Sequence, residues 1–128
     1  MRIAVHRVFL IVLTVAAASW PVFSQAGGTG RSEVDEAFAL EQQGRFDEAE
    51  AAWRAVLKQH PNSADPYAHL GFLEAHQQHY HEAIPMYRKA LALNPSMPGL
   101  RLNLGLAQFK AGELKDAVQT FLPLLRAA

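Results

Sequence analysis

Four histidines in the middle of the chain are the side chains best suited to do chemistry. His69 and His76 are two helical turns apart, so on a helix they share one face, where neutral imidazoles can ligate zinc or copper. His79 and His81 follow closely, but they flank a predicted turn, and no carboxylate stands at a spacing that completes the ligand set. The sequence therefore favours solvated histidines over a metal site, and we expect no cofactor.

Recognisable catalytic motifs do not occur in this sequence. It contains no Gly-x-Ser-x-Gly, no His-Glu-x-x-His and no phosphate-binding loop. It also has no cysteine, which excludes a cysteine nucleophile, a thiolate metal site and a disulfide framework. Charged pairs such as Arg88 and Lys89 are typical of solvated helix faces. We therefore predict that the chain is not an enzyme.

The first 26 residues have the order of segments that is typical of a secretory signal peptide. Arg2 and Arg7 give a positive start, residues 8–18 are an apolar run, and Ser24 and Ala26 are small residues before a cleavage point. The run is shorter than the roughly 20 apolar residues of a membrane span. We predict cleavage after Ala26, a Gly-rich linker over residues 27–31, and export to the periplasm or the exterior. An uncleaved membrane anchor is the rival interpretation.

The charge balance argues against a nucleic-acid partner. Twelve basic residues match twelve acidic ones, and removal of Arg2 and Arg7 with the signal leaves a net charge of about −2. Nucleic-acid binding requires a basic field that this remainder lacks. After signal cleavage no stable membrane span is expected either, so the predicted partner is a protein or a peptide.

An internal repeat with an offset of 34 residues organises everything after the linker. Residues 44–49 align with residues 78–83 and 112–117, and the aromatic residues Trp53, Tyr87 and Phe121 keep the same offset. Apolar residues recur at helical spacing between Gly and Pro breakers, so each unit is expected to hold two helices. The first helices are predicted over residues 33–43, 66–77 and 98–111. The second helices are predicted over residues 47–59, 81–93 and 115–125.

The middle unit carries a family pattern. Tyr67 and Leu70-Gly71 are followed by Ala83, Tyr87 and a closing Pro95. This order closely resembles the tetratricopeptide repeat, with its aromatic, Leu-Gly, Ala-x-x-x-aromatic and Pro positions. The resemblance implies an all-α fold, a right-handed α-solenoid of three helix-turn-helix repeats. The repeats would span residues 30–63, 64–97 and 98–128, the third being incomplete.

The same resemblance implies where a partner binds. In this family the first helices line a concave groove that holds a peptide or a helix. The carried-over positions are apolar for the most part, which favours an amphipathic helix or an extended apolar segment as the partner. The lysine and asparagine pattern of members that clamp a carboxylate is matched only at Asn103. The predicted groove residues are Val34, Phe38, Glu41, Gln42, Ala68, Phe72, Ala75, His76, Leu102, Leu106, Phe109 and Lys110.

Two alternatives to a free groove remain open in the sequence. Its apolar residues would instead pack against further helices of the same chain, or the repeats would be a structural or regulatory segment of a longer exported protein. The last predicted helix raises a related question, because its apolar face is too wide for one contact. We predict that Pro123 kinks this helix or ends it near Thr120. We also predict that the chain is a fragment of a longer array or self-associates through this helix.

Overall fold

Six α-helices follow one another along the part of the chain that the computed structural model describes, residues 30–128. They pack in pairs as three helical hairpins, and this range contains no strand. The predicted signal peptide and the first three positions of the predicted linker lie outside the described residues. The helices are α1 (Gly30–Gln42), α2 (Phe46–Gln59), α3 (Ala64–His76), α4 (Tyr80–Leu93), α5 (Leu100–Lys110) and α6 (Leu114–Ala127).

The hairpins stack in chain order. Each hairpin packs against the next through its second helix, α2 against α3 and α4 against α5, and α3 also contacts α5. Stacking in which each unit contacts its neighbours is the arrangement of a solenoid. The predicted all-α fold of helix-turn-helix units is therefore confirmed.

The three turns inside the hairpins share one backbone geometry. Gly44, Gln78 and Gly112 have positive φ angles of 72°, 66° and 83°. In each turn the next residue's N–H donates to a carbonyl five positions earlier, at 2.8–3.0 Å, as in Arg45 to Leu40. This is the Schellman ending of a helix, which favours glycine at the left-handed position. Gln78 has this left-handed backbone without being a glycine, which carries a conformational cost of about 1 kcal/mol.

Each of the six described helices begins at a different residue from the predicted one. α1 begins at Gly30, so the last two positions of the predicted linker lie in the helix. α5 begins at Leu100 instead of Pro98. Gly99 has a φ of 73°, which is left-handed, so neither it nor Pro98 can be part of the right-handed helix. The second helices each begin one residue earlier than predicted, at Phe46, Tyr80 and Leu114.

The core consists of two clusters, each between neighbouring hairpins. The first joins Trp53 and Val56 of α2 to Leu70 and Leu73 of α3, and the second joins α4 to α5 around Tyr87. Several small residues of the helices are buried, and one of them, Gly71, has a specific role. A Cβ added at Gly71 would lie 2.8 Å from Cδ1 of Tyr87, so the glycine makes room for the aromatic ring of its own hairpin.

Of the two effects predicted for Pro123, a kink or an end of the helix near Thr120, the second is wrong. α6 continues through Pro123 to Ala127. A proline inside a helix removes one backbone hydrogen bond and crowds the carbonyl four residues earlier. The carbonyl that loses its partner belongs to Gln119, which is exposed like Pro123, so water can solvate it. The wide apolar face predicted for this helix is present, with Val118 57% exposed and Leu125 73% exposed.

Candidate functional site

The surface formed by α1, α3 and α5, here called the groove, carries a row of exposed apolar side chains. Each of the five is between 39% and 56% exposed, although all are large and hydrophobic. They stand on the first helices of all three hairpins, whereas the opposite faces of these helices supply the core. The row consists of Phe38, Phe72, Leu102, Leu106 and Phe109.

A cavity of about 300 Å³ opens in the groove between α3 and α5. Phe72 and Leu106 provide its apolar walls, His76 and Lys110 stand at its polar side, and the ring of Tyr87 reaches it from α4. His76 is itself held against aromatic rings, 4.3 Å from Phe46 between ring centroids. The cavity therefore accepts a bulky apolar side chain with one basic group nearby.

A second cavity of about 220 Å³ adjoins the first in the groove. The two cavities share Phe72 and Asn103 in their linings. Glu41 of α1 and His69 of α3 line the second cavity, and the loop before α5 closes it with Met97 and Pro98. The two openings are adjacent subsites along the groove, separated by the ring of Phe72.

A network of three side chains from α1, α2 and α3 supports this second cavity. One oxygen of Glu41, Oε2, accepts a hydrogen bond of 3.1 Å from Nε1 of Trp53. The same oxygen lies 2.9 Å from Nδ1 of His69, and because a carboxylate oxygen only accepts, Nδ1 is the donor. The imidazole of His69 also stacks on Trp53, with ring centroids 4.1 Å apart and planes 5° from parallel. The Glu41 side chain is 8% exposed.

The pKa of Tyr87 depends both on its burial in the core and on the charge of Glu41 in this network. Burial raises the pKa of Tyr87 to about 12, and the negative charge of Glu41 contributes in the same direction. Its phenol is therefore neutral at physiological pH.

The histidines are not arranged as a metal site in the described residues. No group of three or more His, Asp or Glu side chains that could hold a metal ion occurs in residues 30–128. His79 pairs with Glu74 at 3.1 Å, and His81 lies 3.7 Å from Glu113. The interpretation of solvated histidines is wrong for His69, because this ring is stacked and hydrogen-bonded.

The predicted groove residues have different surroundings. Phe72, Ala75, His76, Leu106 and Lys110 line the larger cavity, and Glu41, Ala68 and Phe72 line the smaller one. Phe38, Gln42, Leu102 and Phe109 are exposed and line neither cavity, while Val34 packs against the first core cluster.

Two polar residues of the first helices line the cavities but are not among the predicted groove residues. In the sequence His69 suggests only a metal ligand, and Asn103 only part of a carboxylate clamp. Both line the smaller cavity, and Asn103 lines the larger one as well. Their place on the same helix faces as Phe72 and Leu106 is the signal that could have found them, since His69 precedes Phe72 and Asn103 precedes Leu106 by nearly one turn.

Family models identify the chain. Two models, each described as tetratricopeptide repeat, match residues 34–73 and residues 74–128. Together they extend over all but the first four of the described residues. The chain belongs to the tetratricopeptide repeat family.

Curated relatives share the repeats but are much longer proteins. The "Peroxisomal targeting signal receptor" of Kluyveromyces lactis is 36% identical over 73 residues, which are 57% of this chain and 13% of that protein. The protein of the same name from Candida glabrata is 34% identical over 80 residues, 62% of this chain and 14% of that one. "Protein CTR9 homolog" of Arabidopsis thaliana is 30% identical over 79 residues, 61% of this chain and 7% of the relative. The chain thus aligns with 7–14% of the length of these proteins.

A solved structure has the same fold. It is the "Second TPR of Spaghetti (RPAP3) bound to HSP90 peptide SRMEEVD", with a TM-score of 0.71 and 22% sequence identity. The match covers 77% of this chain and 91% of that one. Tetratricopeptide repeats make the chain a scaffold for protein–protein interaction, in a family that is generally non-catalytic. No helix within residues 30–128 is both long and apolar enough to cross a membrane.

Proposed function

We propose that the groove is a non-catalytic binding site for a protein segment, either an amphipathic helix or an extended apolar stretch. The observation that carries this proposal is the row of five exposed apolar side chains on α1, α3 and α5. Monomeric proteins rarely expose contiguous apolar surface without a partner for it. Segments that bind such grooves do so through a few side chains that enter pockets.

The two cavities supply those pockets. A partner side chain beside Phe72 and Leu106 would fill the larger cavity, where most of the lining is apolar and Lys110 offers one cation. A second side chain would enter the smaller cavity beside Glu41 and His69. The ligand most consistent with this arrangement has two neighbouring anchors, of which at least the first is apolar.

The comparisons agree with a peptide as the class of ligand. The similar solved structure holds a peptide of HSP90, and two of the relatives are named as receptors of a targeting signal. For this chain we infer only the class, because its groove offers mainly apolar anchors and matches the carboxylate-clamp pattern only at Asn103.

Selection from a random peptide display library tests the proposal. The purified chain is immobilised, and the selected peptides are measured by isothermal titration against the chain and two variants, Phe72→Ser and Leu106→Ser. Each variant removes one wall of the larger cavity, so affinity is expected to fall about tenfold or more. The variants should keep the melting temperature of the parent chain, because both side chains are exposed.

The matched control is Val118→Ser, which removes an exposed apolar side chain from α6, outside the groove. This variant is expected to bind the selected peptides like the parent chain. Peptide binding that survives both groove substitutions would contradict the proposal. Loss of folding in Phe72→Ser would instead support a packing role for that ring.

We also propose that the chain is exported and that the groove acts outside the cytoplasm. The support is the order of segments in residues 1–26, a positive start, an apolar run and small residues before the cleavage point. Mass spectrometry of the protein recovered from the exported fraction tests this. The mature chain is expected to begin at Gly27, whereas an intact amino terminus in the membrane fraction would indicate an anchor.

A further inference from the structure

One stripe of apolar side chains on α6 has no cover among the described residues. Leu114, Val118, Phe121 and Leu125 recur at spacings of four, three and four residues, so they share one helix face. Leu114 and Val118 are each 57% exposed and Leu125 is 73% exposed. Phe121 is half-buried, because one side of its ring packs over Gly105 of α5. This set is called the α6 stripe below.

The centre of this face is buried in the second hairpin, and in the first hairpin the position of its aromatic residue is buried. The residues 34 positions before Val118 and Phe121 are Ile84 and Tyr87, and both are 2% exposed. Trp53, a further 34 positions back, is 1% exposed. In each case the cover is the first helix of the following hairpin, α3 over α2 and α5 over α4. The chain therefore contains two examples of a helix that covers this face, α3 and α5.

The two covering helices present the same pattern. α5 contributes Leu100, Leu104 and Ala107 to the core, which are positions i, i+4 and i+7 of one helix face. At the corresponding places α3 contributes Leu70 and Leu73 to its core and buries Pro66. A helix that fits the α6 stripe thus carries a leucine at the central position and apolar residues one turn to either side.

A second copy of this chain does not supply such a helix through head-to-tail stacking. The position of α1 that corresponds to Leu70 and Leu104 is Glu36, which is exposed. Head-to-tail stacking would place this carboxylate against Phe121 without a partner. Burying an unpaired charge costs far more than the apolar contact around it contributes. The polar end at α1 and the apolar end at α6 are not complementary.

We propose that the α6 stripe is a docking site for a helix of a partner protein that presents apolar side chains at i, i+4 and i+7. The partner helix continues the stacking of the hairpins and takes the place that α5 takes on α4. This interface is separate from the groove, because α6 contributes to neither of its cavities. One partner segment in the groove and one helix on α6 can therefore bind at the same time.

A synthetic helix with the sequence of residues 97–111 tests this proposal. It carries a hydrocarbon staple through positions 102 and 106, which point away from the leucine pattern, and a fluorescent label. Fluorescence anisotropy is measured as the full chain is added. Saturable binding is expected, and Val118→Asp or Leu125→Asp in the chain should weaken it about tenfold or more, because each buries an unpaired carboxylate.

Three controls establish whether the stapled peptide binds at the α6 stripe. A peptide with Leu104→Glu imitates Glu36 and should not bind. Phe72→Ser in the chain leaves the α6 stripe intact and should bind the stapled peptide normally, even if the proposed function of the groove fails. Circular dichroism should show that Val118→Asp is folded, since Val118 is already more than half exposed.

Three results would overturn the proposal. The first is absence of binding, and the second is binding that Val118→Asp and Leu125→Asp leave unchanged. The third is a dimer of the chain, seen by light scattering and converted to a monomer by Val118→Asp, which would make a second copy the occupant of the α6 stripe.

Discussion

Only a hydrogen atom fits beneath the ring of Tyr87 at position 71. The ring is 2% exposed and packs among core residues of α4 and α5. Gly105 stands in the same relation to Phe121, and a Cβ there would meet that ring even more closely. The two rings differ in their surroundings, because Tyr87 is buried whereas Phe121 is half-buried beside the exposed residues of the α6 stripe.

We therefore predict that Gly71→Ala destabilises the chain more than Gly105→Ala, although the nominal overlap is larger at Gly105. Overpacking at Gly71 should cost about 1–3 kcal/mol. At Gly105 the ring can swing towards solvent, and the gain in helix propensity of about 1 kcal/mol offsets the remaining strain. Urea unfolding of both variants measures the difference. A larger loss for Gly105→Ala would show that the end hairpin is as rigid as the middle one.

Tyr87 also predicts how stability depends on alkaline pH. Its pKa of about 12 in the folded state exceeds the ordinary value near 10, so folding favours the neutral phenol. The contribution is complete below about pH 10 and is lost as the pH rises towards about 12. Between about pH 9 and 11.5 the chain should lose about 1–2 kcal/mol more stability than Tyr87→Phe, which has no phenol. Equal losses in urea unfolding at the two pH values would contradict this.

At the scale of elements, the three hairpin turns provide a matched comparison. Two of them have glycine at the left-handed position of the Schellman ending, and the middle one has Gln78 with a φ of 66°. An added Cβ meets nothing within 4 Å at Gly44 or Gly112. The preference for glycine over another residue at these positions therefore depends on the backbone conformation alone.

We predict opposite effects for two exchanges at this position. Gln78→Gly should be neutral or stabilising by up to about 1 kcal/mol, because relief of the left-handed strain slightly exceeds the added freedom of the unfolded chain. Gly112→Gln should destabilise by about 1 kcal/mol for the converse reason. Thermal unfolding of the two variants gives the signs. The same sign for both exchanges would contradict the argument.

The helices could be predicted from the sequence because breakers and apolar spacing are local. The predicted starts of the second helices are within one residue of the observed ones, and the ends at Gln59 and Leu93 match. The predicted start of α5 is wrong because Pro98 is acceptable at the start of a helix, whereas the left-handed backbone of Gly99 follows from the packing of the whole turn. The alternative that Pro123 ends α6 near Thr120 is wrong because the cost of the proline is small where water replaces the lost bond.

The groove was predictable only in outline. Its apolar row follows from the positions that the resemblance to tetratricopeptide repeats implies, but the link among Glu41, Trp53 and His69 joins three helices of two hairpins. No spacing within one helix predicts such a contact. His69 therefore resembles a metal ligand in the sequence, and the three-dimensional structure gives it a partner carboxylate and an aromatic ring.

For the whole molecule, the number of covered faces differs from hairpin to hairpin. The middle hairpin packs against neighbours on both sides, through α2–α3 and α4–α5, while α6 leaves one face open. Local opening is easiest where few buried contacts hold an element.

We predict a gradient of amide hydrogen exchange along the solenoid. Amides of α3 and α4 should exchange most slowly and those of α6 fastest among the helices, with the last turn beyond Pro123 close to unprotected. Exchange monitored by mass spectrometry on peptic fragments measures this. Bound stapled peptide should slow exchange in α6 more than in α3, and protection of α6 equal to that of α4 in the free chain would contradict the gradient.

The parallel stack of His69 on Trp53 has a spectroscopic consequence. Of the two tryptophans, Trp20 lies in the predicted signal peptide, so a chain that begins at Gly27 has one indole, Trp53, located where α1, α2 and α3 meet. Its emission will change when the first two hairpins separate. It will not change when only α5 and α6 unfold. If the solenoid unfolds first at its carboxyl end on heating, the helical ellipticity will therefore decrease at a temperature several degrees lower than that at which the fluorescence of Trp53 changes.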